Sequence, residues 1–261
     1  MEHGATVDLG GRRLFFQRFG SGRPTIVFES GGDDGAESLA DLARRVQSFA
    51  PALIYDRAGL GRSDPAPRPR TIQDAVADLH ALLHAAEAPG PYLLVGHSYG
   101  GLIARLYAHR HPHEVAGLVL LDVPPPDLSL RELRLLPPPA PGEPAALAEC
   151  RSNAMAEWSD PSSSLEGFDR AASAAQIQAT GDLGSLPMVV ITAGIDEWPD
   201  GFPAEIARSM EQDWLAAQQE LAALSTNSAQ IIATESNHSI QECQPDLVVE
   251  AIRTLIEKLR A

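Results

Sequence analysis

Six short runs in this chain are almost unbroken in their apolar character, and segments with helical periodicity separate them. The runs are PTIVFES (24–30), ALIYD (52–56), PYLLVG (91–96), GLVLLD (117–122), PMVVITAG (187–194) and AQIIATES (229–236). A strand with one wet face alternates apolar and polar residues, whereas a strand covered on both faces does not. Between the runs, AESLADLARRVQSFA, TIQDAVADLHALLHAAEA, YGGLIARLYAHRHP, AEIARSMEQDWLAAQQELAAL and PDLVVEAIRTLIEKLRA carry apolar residues at three- and four-residue steps. The alternation predicts an α/β fold with a mostly parallel, doubly wound sheet and helices on both faces.

Two segments depart from the rhythm. TVDLGGRRLFFQRFG reads as a hairpin turning at Gly10-Gly11. Residues 123–186 begin with a Pro-rich stretch and continue as helix-prone sequence with Ser-rich interruptions and no strand-like run. The expected organisation is a core domain of residues 1–122 and 187–261, with residues 123–186 inserted as a helical cap. An insertion after a strand's C-terminal end stands over the edge where open α/β sheets bind ligands.

With 261 residues, 44% of them hydrophobic, the chain can bury a large core. Its formal net charge of −15 argues against nucleic acid or an anionic membrane as partner, because both require clustered cations. The N-terminus lacks the basic start and apolar run of a signal peptide, and no apolar stretch reaches spanning length. The expectation is a soluble, cytoplasmic protein. Its two cysteines, Cys150 and Cys243, read as free buried thiols and are too few to make a zinc site by themselves.

GHSYG, residues 96–100, fits G-x-S-x-G at a strand-to-helix junction. A serine on a sharp, strained turn there projects its hydroxyl from the sheet edge, and small neighbours two residues away avoid clashes. The Tyr99 N–H, at the helix start, points into the same space and can stabilise an oxyanion. The chain resembles the α/β-hydrolases over nearly its whole length. FESGG resembles the family's first oxyanion-loop motif, with Ser30-Gly31 in place of the usual His-Gly. DRAGLGRSD resembles D-x-x-G-x-G-x-S, GHSYGG the nucleophile elbow, and SNHSIQECQPDLVVEAI the late histidine loop with its Pro-initiated helix.

The resemblance implies Ser98 as nucleophile, His238 as general base, and backbone amides of Gly32 and Tyr99 as the oxyanion hole. For the orienting acid it leaves two positions, Asp122 at the tip of GLVLLD and Asp196 after VVITAG, with Asp122 preferred because the loop around Asp196 is irregular. Arg57 and Asp64 are read as pins for their glycine-rich loop. His97 faces away from the site if Ser98 faces it; His109, His111 and His113 gather at a helix end, and His3 lies in the N-terminal tail. His80 and His84 share a helical face at a spacing that can bind metal, but with no carboxylate or cysteine at suitable spacing they read as a surface pair. Trp158, Trp198 and Trp214 could line an apolar pocket or pack in the core.

The reading is a serine hydrolase that needs neither metal nor cofactor and acts on a small-molecule carboxylic ester or lactone. The other readings are a thioesterase or cyclase of small-molecule biosynthesis, a lyase, perhydrolase or cofactor-free oxygenase on the same fold, and a non-catalytic ligand-binding relative.

Overall fold

The structure is a computed structural model that describes residues 4–195 and 197–260. Eight strands form one sheet: β1 (Gly4–Asp8), β2 (Arg13–Phe19), β3 (Thr25–Glu29), β4 (Ala52–Tyr55), β5 (Tyr92–His97), β6 (Val115–Leu121), β7 (Met188–Ala193) and β8 (Ser228–Ala233). Their spatial order is β1-β2-β4-β3-β5-β6-β7-β8. β1 and β2 form the N-terminal antiparallel hairpin, β2 lies antiparallel to β4, and every pairing from β4 to β8 is parallel.

Every residue of β3, β4 and β5 is buried, as strands covered on both faces require. On one face lie α2 (Ile72–Ala85) and α3 (Tyr99–Arg110); on the other lie α1 (Ala40–Val46) and α9 (Pro245–Arg260). α9 shows how sequence fixes the packing: Val248, Ala251, Ile252, Leu255 and Ile256 fall on one stripe, and all five are buried. β8 differs from the inner strands. It is a sheet edge, and Ala229, Gln230 and Ile232 are exposed.

The first helical pattern is shorter than its sequence suggests: a 3₁₀ turn at Ala36–Leu39 precedes α1, which stops at Val46. Between β6 and β7 run α4 (Leu128–Leu135), α5 (Ala145–Ser159) and α6 (Arg170–Gln178). The end of this insertion is tied to the core by backbone bonds, Arg70 N–H to Gly167 O at 2.9 Å and Asp169 N–H to Arg70 O at 2.7 Å. α7 (Ala204–Ala222) and the short α8 (Ile240–Cys243) complete the described helices. Among the described residues, no helix is long and apolar enough to cross a membrane. Both cysteines are free, but neither is buried: Cys150 is half-buried and Cys243 exposed, because the short α8 lies on the surface.

Candidate active site

Ser98 joins β5 directly to α3 at φ 50°, ψ −126°, a conformation unfavourable for a residue with a side chain. The turn survives because nothing around it needs space. A Cβ on Gly96 would lie 2.6 Å from Gly101 Cα and 2.7 Å from Gly100 O, and one on Gly100 would run into the carbonyls of Glu29 and Ser30. The Ser98 N–H continues the sheet by donating to Leu121 O at 2.9 Å. Among the described residues, its hydroxyl makes no hydrogen bond. Tyr99 is the first residue of α3, where a backbone N–H has no intrahelical acceptor. Gly32 faces it: a Cβ there would stand 3.6 Å from Tyr99 Cβ.

Asp122 follows β6, also at positive φ (45°), and its N–H bonds Ile191 O at 2.8 Å. The carboxylate is buried but fully supplied with donors. Oδ1 accepts from the Ala193 N–H at 2.9 Å and the Trp214 indole N–H at 3.1 Å. Oδ2 lies 2.7 Å from His238 Nδ1. A carboxylate accepts, so Nδ1 carries the proton and Nε2 keeps its lone pair. The His238 side chain is 49% exposed, which leaves that nitrogen open to a ligand. Asp196 and His3 lie outside the described residues.

His97, next to Ser98, turns back beneath the loop instead of facing the site. Its Nε2 donates to the His238 backbone carbonyl at 2.9 Å, and the two rings are 4.7 Å apart. Burial, with the neighbouring His238 ring second, lowers its pKa to about 4, so His97 is a neutral prop.

The loop carrying Gly32 is held from below by a buried ion cluster. Arg57 donates to Ser30 O at 2.7 Å and Gly31 O at 2.5 Å, and it grips Glu166 with two bonds of 2.7 Å. Glu166, from the insertion, also accepts the Asp33 N–H at 3.0 Å. Burial opposes charge on both partners, yet their pairing wins: Arg57 is held above its ordinary pKa and Glu166 below. Glu29 is the crowded third member, 3.5 Å from Arg57 and hydrogen-bonded by Tyr55. Its Oε2 has no hydrogen-bond partner, and burial raises its pKa to about 7 against the pull of Arg57. Asp64 holds the far end of the Arg57 loop: its carbonyl accepts the Gly59 N–H at 3.1 Å, and its carboxylate takes Arg13 of β2 at 3.1 Å.

On the other side of His238 opens a cavity of about 500 Å³, within the range of small-molecule sites. Asp122, His238, Trp198, Trp214, Glu132 and Arg131 are among its lining residues. Trp214 meets the His238 ring edge-on at 6.3 Å, whereas Trp198 stacks on Phe202 and donates to Glu211 at 3.0 Å. Trp158 lines a separate small recess with Arg170 and Tyr99. Burial, with Glu157 second, raises the Glu132 pKa to about 7. Arg131 is engaged with Asp127 at 3.0 Å and Glu220 at 3.3 Å, so the walls present more acid than base.

The profile of the Alpha/beta hydrolase family matches residues 26–251. The chain belongs to the alpha/beta hydrolase family. The uncharacterized protein YqjL of Bacillus subtilis is 31% identical over 244 residues, covering 90% of this chain and 84% of that one. Lipase LipV of Mycobacterium tuberculosis is 38% identical over 110 residues, covering 42% of this chain and 41% of its own. Among solved structures, a thermophilic esterase from Thermogutta terrifontis superposes over 100% of both chains with a TM-score of 0.65 at 20% identity, a likeness of fold.

Sequence reasoning missed three contributors to this hydrolase-fold site. Glu29 reads as the end of an apolar strand, and Glu166 sits in the nondescript SSSLEGFD. Arg170, the first residue of α6, stacks its guanidinium 4.1 Å over the Tyr99 ring, with one nitrogen 3.3 Å from where a Gly32 side chain would begin. Only the N-capping aspartate before it, Asp169, which accepts the Ala172 N–H at 2.8 Å, marks that helix start in the sequence.

Proposed function

We propose that the protein is a serine hydrolase of carboxylic esters or lactones, with Ser98 as nucleophile, His238 as general base and Asp122 as the orienting acid. The observation that carries this reading is the 2.7 Å bond from His238 Nδ1 to a buried aspartate whose other oxygen already has two donors. Such a carboxylate fixes the imidazole tautomer and stabilises the imidazolium that forms.

In this mechanism Ser98 Oγ bonds to the carbonyl carbon while its proton passes to His238 Nε2. The carbonyl π electrons move to oxygen, which the Gly32 and Tyr99 amides receive. Collapse of the tetrahedral adduct expels the alkoxide, which takes the proton from His238. Water then repeats the sequence on the acyl-enzyme, returning Ser98 and releasing the acid. A hydroxyl that meets Nε2 only as substrate docks is ordinary for an unliganded site. Residues 123–186 serve as the cap, with α4 and Trp198 shaping the pocket for the leaving group. The acidic walls and the net charge of −15 favour uncharged esters over polyanionic thioesters such as those of coenzyme A.

A screen of p-nitrophenyl esters, lactones and thioesters, with Ser98→Ala as control, tests the reading. Turnover of at least one ester or lactone, abolished in Ser98→Ala, is expected. Turnover confined to thioesters, or equal in the variant, would overturn it.

A further inference from the structure

At the far end of α3 from Ser98, four metal-competent side chains converge from three segments. His80 and His84 come from successive turns of α2, His111 caps α3, and Glu114 lies in the turn before β6. The Nε2 atoms of His80 and His84 are 3.1 Å apart. Glu114 Oε1 lies 3.2 Å from the first and 3.7 Å from the second. The His111 ring stacks on His80 with centroids 4.1 Å apart, and ligand atoms of His80, His111 and Glu114 all lie within 4.8 Å of one another.

We propose that this cluster is a structural binding site for a divalent transition ion of the zinc type. A tetrahedral ion with ligand bonds of about 2.0–2.1 Å separates neighbouring ligand atoms by roughly 3.3 Å, close to the three edges measured here. Two imidazoles, His80 and His84, and the Glu114 carboxylate, with water as the fourth ligand, suit zinc and its neighbours. They do not suit magnesium or calcium, which take oxygen shells. The His111 ring, stacked parallel on His80, backs that ligand. The second oxygen of Glu114 is held by the Tyr107 hydroxyl at 2.6 Å, the kind of outer support that aims a ligating carboxylate. The nearest arginine in sequence, Arg110, reaches away to Gln73 at 3.1 Å. Sequence spacing hides the site, because Glu114 joins His80 and His84 across 34 and 30 residues. His109 and His113, their sequence neighbours, are exposed and do not belong to it.

The position says what the ion does. α3 has 12 residues, so the cluster stands on the order of 18 Å from Ser98. Bound metal clamps α2 to the turn between α3 and β6 and raises stability without entering the chemistry.

Chelator-stripped, tag-free protein titrated with zinc chloride by calorimetry is the test. One saturable equivalent and an upward Tm shift are expected. Affinity should fall at least roughly tenfold in His80→Gln/His84→Gln, whose circular dichroism stays native because both side chains reach the surface. The control His109→Gln/His113→Gln should bind as the parent does. Absence of a saturable equivalent, or equal affinity in His80→Gln/His84→Gln, overturns the proposal.

Discussion

The two flanks of His238 are built on opposite principles. On the Ser98 side, backbone groups dominate, strained φ angles are locked by glycines, and a buried Arg57–Glu166–Glu29 cluster fastens the Gly32 loop from beneath. On the α4–α7 side, side chains from the insertion and α7 enclose a roomy cavity, and Trp198 remains 36% exposed. In the proposed mechanism the first flank fixes atoms for the reaction, and the second shapes a space for part of the substrate. Changes on the Ser98 side should therefore lower kcat or stability, whereas changes on the cavity side should move KM and substrate preference.

Asp122→Asn should have the largest effect. It keeps the shape but stabilises the wrong tautomer of His238, so kcat for the best ester should fall by roughly 10³–10⁴. Steady-state kinetics with an unaltered folded spectrum checks this, and near-parental kcat would remove Asp122 from its role. Arg57→Met leaves two buried carboxylates without their cation. About 3–5 kcal/mol of stability should be lost in urea unfolding, and a loss under 1 kcal/mol would break the contrast between the flanks.

Glu29 and His97 set opposing pH dependences. The native state holds a proton on Glu29 up to about pH 7 instead of 4.5, so its contribution to stability falls as pH rises through that window. His97, lowered to about 4, makes stability rise between pH 4 and 6.5, because there the unfolded chain binds the proton more tightly. Glu132, likewise raised to about 7, acts in the same direction as Glu29. Each effect is on the order of 3 kcal/mol, so the two glutamates together outweigh His97 between about pH 4.5 and 6.5. Glu29→Gln/Glu132→Gln should uncover the His97 slope, with stability increasing from about pH 4.5 to 6.5. A flat profile in that variant would contradict the assignment.

Trp214→Phe removes one of the two donors to Asp122 Oδ1 at the boundary between the flanks. Loss of about 1 kcal/mol, near fivefold in kcat/KM, is expected from kinetics on one ester. Trp198→Ala should be mildest, changing KM ratios among esters of different leaving-group size a few-fold with kcat unchanged. A large fall in kcat instead would mean that the cavity wall takes part in the chemistry.

The same division explains what could be read from the chain. Unbroken apolar runs and the stripe on α9 announce the sheet and its covers, because burial on both faces leaves no freedom in residue type. Gly96 and Gly100 flank Ser98 at fixed spacing because the turn is local, so its pattern is visible in five letters. Local patterning does not carry Glu166, which meets Arg57 109 positions away, or Glu114, which meets His80 across a helix gap. Between Asp122 and Asp196 the choice depended on where a loop places His238, and no spacing rule specifies that. The cavity is equally illegible, since α4 and α7 create it only by packing together.

Intact-mass spectrometry after treatment with a fluorophosphonate tests the nucleophile most directly. One adduct per chain is expected on the parent protein, localised to the peptide carrying Ser98 and absent from Ser98→Ala. An adduct of equal yield on Ser98→Ala, or no adduct on a preparation that is turning over ester, would contradict the central claim.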